Sequence, residues 1–184
     1  MPVILYVNAC VRGGSRTARL AEALLRKLGG GYEEVRLPEE MPEPLTEERL
    51  AKRTALIEAG DYGDPMFALA RQFRRADVIV IAAPYWDLSF PAVLKAYLEN
   101  IYVTGLVSEY GADGMPRGLC RAEKLYYVTT AGGPYVPDYS YDYIRALAVG
   151  CFGIPETELI KAEMLDVEGY DAEEITDRAI RSLR

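Results

Sequence analysis

The chain has 184 residues, half of them apolar, and a formal net charge of −7. That content can bury one domain's core and excludes a disordered chain. Acidic and basic residues are interspersed, so no basic face for nucleic acid is expected, and no apolar run approaches the roughly 18 residues of a membrane span. Histidine is absent, which excludes a histidine base, a Ser-His-Asp triad and a histidine-ligated metal.

Taken in chain order, short apolar runs alternate with segments of helical period. The opening MPVILYV lacks a basic region, so no signal peptide is expected. Within it Val3–Val7 is apolar without alternation and reads as a buried strand. The polar stretch ACVRGGSRT (residues 9–17) follows. Leu20, Leu24, Leu25 and Leu28 then mark one face of a helix closed by Gly29-Gly30-Gly31. Tyr32–Leu37 alternates and reads as a second strand nearer an edge. Residues 38–45 carry three prolines and read as loop. Thr46 opens a polar helix, and Met66–Arg75 forms another after the break GDYGDP.

Val78–Ala83 is the clearest buried strand, ended by Pro84. Pro91–Val103 reads as a helix with Ser89 or Asp87 as its cap. Residues 105–121 read as a long glycine-containing loop. Leu125–Thr130 is a strand, Tyr141–Phe152 a helix, Glu158–Met164 a last strand and Asp171–Leu183 a last helix.

Five strands separated by helices predict an α/β fold of one domain over residues 1–184, with no linker or repeat. Right-handed crossovers favour a doubly wound five-stranded parallel sheet in the flavodoxin-like order 2-1-3-4-5. Three unusual segments would then meet beyond the carboxyl ends of the strands. ACVRGGSRT offers Ser15, Thr17 and a helix N-terminus, all suited to a phosphate. PYWDLSFP offers Tyr85 and Trp86 as flat surfaces for a ring, and TTAGGPY offers Gly132 and Gly133 for close backbone approach. A phosphate at one end and an aromatic slot at the other suit flavin mononucleotide, FMN. The bland readings are a helix cap for Ser15, Thr17 and Asp87, core packing for the aromatics and a tight turn for the glycines.

On these segments the chain resembles the FMN-dependent NAD(P)H:quinone reductase and azoreductase family. The stretches are IAAPYWDLSFPAVLKAYLENIYVTG, YYVTTAGGPY and YIRALAVGCFGI. The resemblance implies a phosphate turn of Cys10, Ser15, Arg16 and Thr17, a ring segment of Tyr85, Trp86, Asp87 and Leu88, and a pyrimidine segment of Thr130, Ala131, Gly132 and Gly133. It also implies hydride transfer from NADH or NADPH through flavin to a quinone or azo acceptor. No protein side chain is then a catalytic acid or base, and no metal is needed. A homodimer is implied too, and the many tyrosines of 126–143 suit its interface or a substrate mouth. Three cysteines, odd in number and without CxxC, fit a cytoplasmic protein. Three positions depart from the family: Cys10 replaces a serine, Asp87 an asparagine at the flavin's N5–O4 edge, and Ala131 an arginine.

Two other readings stay open at this level. Cys10-x5-Arg16-Thr17 formally fits the signature of low-molecular-weight tyrosine phosphatases, with Asp138 available as general acid. That reading leaves PYWDLSFP and TTAGGPY without a role. An acidic FMN-binding electron carrier of the flavodoxin type is the other.

Overall fold

The computed structural model describes residues 2–136 and 138–183. Its elements begin β1 (Ile4–Asn8), α1 (Arg16–Leu28), β2 (Tyr32–Arg36), α2 (Leu37–Glu40) and α3 (Glu47–Glu58). α4 (Ala68–Arg75), β3 (Val78–Ala82), α5 (Ala92–Ile101), β4 (Ser108–Tyr110) and β5 (Pro116–Gly118) follow. β6 (Lys124–Thr130), α6 (Tyr141–Leu147), β7 (Glu156–Ala162) and α7 (Ala172–Ser182) complete the chain.

Five strands form one parallel sheet in the order β2-β1-β3-β6-β7, which is the expected 2-1-3-4-5 once the hairpin β4-β5 is set apart. Alternation along each strand sends side chains to two core layers. Leu5, Val7, Ile79, Ile81, Leu125 and Tyr127 meet Phe73, Tyr97 and Phe152 on one face. Ile4, Tyr6, Val80, Ala82, Val128 and Ile160 meet Leu20 and Leu24 of α1 on the other. β2 is the exposed edge, with only Val35 buried, as its alternation predicts. Among the described residues no helix is long and apolar enough to cross a membrane.

Several expectations need correction. The loop of residues 105–121 contains the antiparallel pair β4-β5, turned at Gly114 with φ of 76°. Three-residue strands give no periodic signal, and β5 begins with a proline. Gly118 presses this hairpin onto the end of the α6 segment: a Cβ there would lie 1.9 Å from the carbonyl carbon of Phe152. The proline-rich loop holds the single-turn α2, with Pro38 in its first turn, where a proline costs no hydrogen bond. The helix expected over Tyr141–Phe152 widens at Ala148–Phe152 and closes on Gly153 in the left-handed conformation. That expected over Met66–Arg75 starts as a tight turn, Pro65–Phe67, capped by Asp64. Neither Ser89 nor Asp87 caps α5, whose N-cap is Pro91 with no side-chain bond. The last strand runs two residues earlier than expected, which frees residues 163–166 to turn back toward β6.

Candidate functional site

β1, β3, β6 and β7 all end at one edge of the sheet, and a cleft of about 490 Å³ opens there. Its walls come from residues 11–17 after β1, 84–86 after β3, 130–132 at the end of β6, and 165–166 after β7. The size falls within the range of small-molecule sites, roughly 300–1,000 Å³.

The turn after β1 is shaped by its hydrogen bonds. Asn8 Oδ1 accepts from the Cys10 N–H at 3.0 Å, and Gly14 adopts a φ of 69° that an L side chain would resist. Ser15 then caps α1, its Oγ accepting from the Ala18 N–H at 3.3 Å. Helix geometry leaves the N–H groups of the first turn without partners inside the helix, so this end carries partial positive charge toward the cleft. Arg12 and Arg16 add two guanidinium groups to the wall. Thr17 Oγ1 lies 2.5 Å from Thr130 Oγ1, a bond that ties α1 to the end of β6. Thr17 is buried, so much of its hydroxyl's capacity goes to that bond.

Cys10 lies outside the cleft lining, beneath the turn, 3% exposed with its thiol 3.8 Å from the Ala82 carbonyl. Burial pushes the thiol up to about 11, against a contact with Ser15 that lowers it. A thiol so held is protonated at neutral pH and cannot attack a phosphate ester. The phosphatase reading therefore loses its nucleophile. Its general acid is also occupied: Asp138 Oδ1 accepts from the Tyr135 hydroxyl and the Tyr141 N–H, both at 2.8 Å.

At the other end, Tyr85 N–H bonds the Thr130 carbonyl at 3.0 Å, and the Tyr85 ring packs on Tyr135 with centroids 4.6 Å apart. Burial, then the charge of Asp138, pushes the Tyr85 phenol upward. Trp86 and Ser89 exchange two backbone hydrogen bonds around Asp87 and Leu88, whose φ angles are 50° and 69°. This is the arrangement of a type I′ hairpin turn, which asparagine and glycine fill easily. Aspartate tolerates it, whereas leucine is strained there. Arg12 lies 6.0 Å from the Trp86 ring centroid and links the two ends.

Ser15, Arg16, Thr17, Tyr85, Trp86, Thr130, Ala131 and Gly132 thus meet in one cleft. Asp87, Leu88 and Gly133 stand outside its lining, and Cys10 below it. Gly132 also has a different neighbour from the one expected: a Cβ there would lie 2.5 Å from Oδ2 of Asp166, so its bareness makes room for a carboxylate. Sequence reasoning missed Asp166, Leu165, Pro84 and Arg12. The signal for the first two was available, since a fifth parallel strand must end at the same edge as the others.

The chain is also similar to known proteins in sequence and in fold. The family described as flavodoxin-like fold matches residues 3–184. An FMN-dependent NADH:quinone oxidoreductase 2 of Clostridium acetobutylicum is 35% identical over 100% of this chain and 97% of its own length. A further FMN-dependent NADH:quinone oxidoreductase, from Clostridium perfringens, is 31% identical over 98% of this chain and 95% of its own. In fold, the chain is similar to an azoreductase from Bacillus anthracis, with a TM-score of 0.85 at 22% identity, covering 100% of this chain and 97% of that one. The chain belongs to the flavodoxin-like fold family that includes these quinone oxidoreductases.

Proposed function

From membership of that family we propose that the chain is an FMN-dependent NADH:quinone oxidoreductase, able to reduce azo compounds or similar acceptors. The observation that carries this reading is the joining of a capped helix N-terminus, an aromatic pair and a glycine-bearing strand end in one cleft. The donor set suits the cofactor. Backbone N–H groups of residues 13–17 with Ser15, Arg16 and Arg12 suit a phosphate, and Tyr85 and Trp86 a flat ring. Relatives named for FMN and NADH favour it over a phosphatase or an electron carrier.

When bound, the flavin would supply the hydride chemistry. The chain's own residues bind and orient. Ser15, Arg16 and Thr17 hold the phosphate end, with Cys10 supporting their turn from below. Tyr85 and Trp86 cover the ring, while Asp87 and Leu88 form its rim. Gly132 and Gly133 would present backbone N–H groups to the pyrimidine edge, with Thr130 and Ala131 holding that strand end in place. No residue need carry a proton, which agrees with a chain lacking histidine.

The reading extends to a homodimer in the cytoplasm. Trp86, Leu88, Val136 and Tyr139 are exposed apolar side chains suited to a second copy, and the three cysteines are unpaired. The test is NADH oxidation by a soluble quinone, using apoprotein with and without added FMN. Turnover that requires FMN supports the proposal, and turnover indifferent to FMN contradicts it.

A further inference from the structure

The turn after β7 contributes a carboxylate to the phosphate end of the cleft, and its position is fixed by backbone bonds. Met164, Leu165 and Asp166 donate their N–H groups to the carbonyls of Gly133, Ala131 and Gly132 at 3.0, 3.2 and 2.9 Å. Met164 adopts a left-handed φ of 67° to make this return. The register sets Asp166 over Gly132, the one residue type whose lack of a Cβ leaves that space. From there Asp166 Oδ1 reaches Arg16 Nη1 at 2.9 Å, and the same nitrogen lies 3.4 Å from the Leu165 carbonyl. Arg16 is the first residue of α1, beside the turn that would take a phosphate.

We propose that Asp166 is a specificity-determining residue that lowers the cleft's preference for a phosphorylated flavin over its unphosphorylated form by occupying Arg16. The inference rests on the flavin reading above. Arg12 and Arg16 bring two positive charges to the cleft wall, and Asp166 cancels one of them. An incoming phosphate meets a guanidinium already bonded to a carboxylate. It must share that group's remaining donors or displace the Asp166 oxygen, and either choice weakens the charge-assisted bond it gains. The ring and its polyol chain carry no charge, so they are indifferent to the exchange. The pair is half in solvent, with side chains 38% and 71% exposed, so the effect is modest.

Asp166→Asn keeps the shape and an oxygen for Arg16 while removing the charge. The experiment measures Kd for FMN and for riboflavin by quenching of flavin fluorescence, in the full chain and at low salt. The expected result is a riboflavin-to-FMN Kd ratio raised about threefold by Asp166→Asn, from tighter FMN alone. The gain should shrink as salt is added. In an Arg16→Gln background the same change should lose most of its effect, because the group that Asp166 occupies is gone. An unmoved or lowered ratio overturns the inference, and so does a gain undiminished without Arg16. Asp166→Ala repeats the test without the amide. Failure of FMN to bind the wild-type protein would instead remove the flavin reading itself, a result distinct from an unmoved ratio.

Discussion

At one end of the cleft Ser15 caps α1, Thr17 is bonded to Thr130 and Arg16 is paired with Asp166, whereas at the other Trp86 and Leu88 ride on a turn with two left-handed residues, strained at Leu88. The phosphate end is held by hydrogen bonds that span the sheet. At the ring end Tyr85 is tied to Thr130, but the turn beyond it is closed by two backbone bonds and stays exposed, Trp86 at 37% and Leu88 at 47%. The contrast teaches where each end draws its order. The first belongs to the core and shares its stability. The second stores local strain, of the kind that survives when a site needs a particular backbone shape.

Substitutions should expose the difference, and the largest effect belongs to Cys10 beneath the phosphate end. Its folded thiol is pushed up to about 11 from an ordinary value of 9.0, so the folded state holds the proton more tightly than the unfolded chain. The associated stability is full below about pH 9 and is lost as pH rises toward 11. That shift corresponds to a few kcal/mol. Thermal melts from pH 8 to 11 should therefore fall more steeply for the wild type than for Cys10→Ser. Parallel curves would place the thiol in a wetter setting than the fold describes.

Thr17→Val comes next. It leaves the Thr130 hydroxyl without its partner at 2.5 Å and should cost about 2 kcal/mol in urea unfolding. A neutral result would mean that α1 is not tied to β6 through this pair.

Leu88→Gly should act with the opposite sign. Relief of a left-handed leucine should exceed the entropy that glycine loses on folding, for a gain of about 0.5 kcal/mol in the same unfolding experiment. If the turn's shape serves ring binding, FMN affinity should fall although the fold is firmer. A variant that gains stability and affinity together would break the contrast between the two ends.

Asp87→Asn is expected to be smallest, within about 0.5 kcal/mol, because both residues tolerate a φ of 50° and neither caps α5. A larger loss would point to a bond that Asp87 makes through its charge.

The regions differ in the same way in how far the sequence reveals them. The buried strands are legible because every residue of Ile4–Asn8 and nearly every residue of Val78–Ala82 is buried, and an apolar run without alternation says as much. Ser15 is legible as a cap because capping is local, a side chain reaching an N–H three residues on. The turn at Asp87-Leu88 is not legible. Asp-Leu carries none of the Asn-Gly chemistry that announces a type I′ turn, and the nearby proline reads as a helix start, which drew Asp87 and Ser89 into a capping role they lack. Asp166 was hidden for another reason. Its partners Arg16 and Gly132 lie 150 and 34 positions away, and only the closed sheet brings them together. The hairpin β4-β5 escaped notice because three residues are too few for a period.

The central claim, that this cleft holds FMN, is tested most directly by titrating the apoprotein with FMN while following the fluorescence of Trp86, the only tryptophan in the chain. The account predicts saturable quenching at one FMN per chain. It also predicts a rise in melting temperature that matches about 2.7 kcal/mol of stabilisation when FMN stands at 100 times its Kd. Unquenched Trp86 fluorescence together with an unmoved melting temperature at saturating FMN would contradict it.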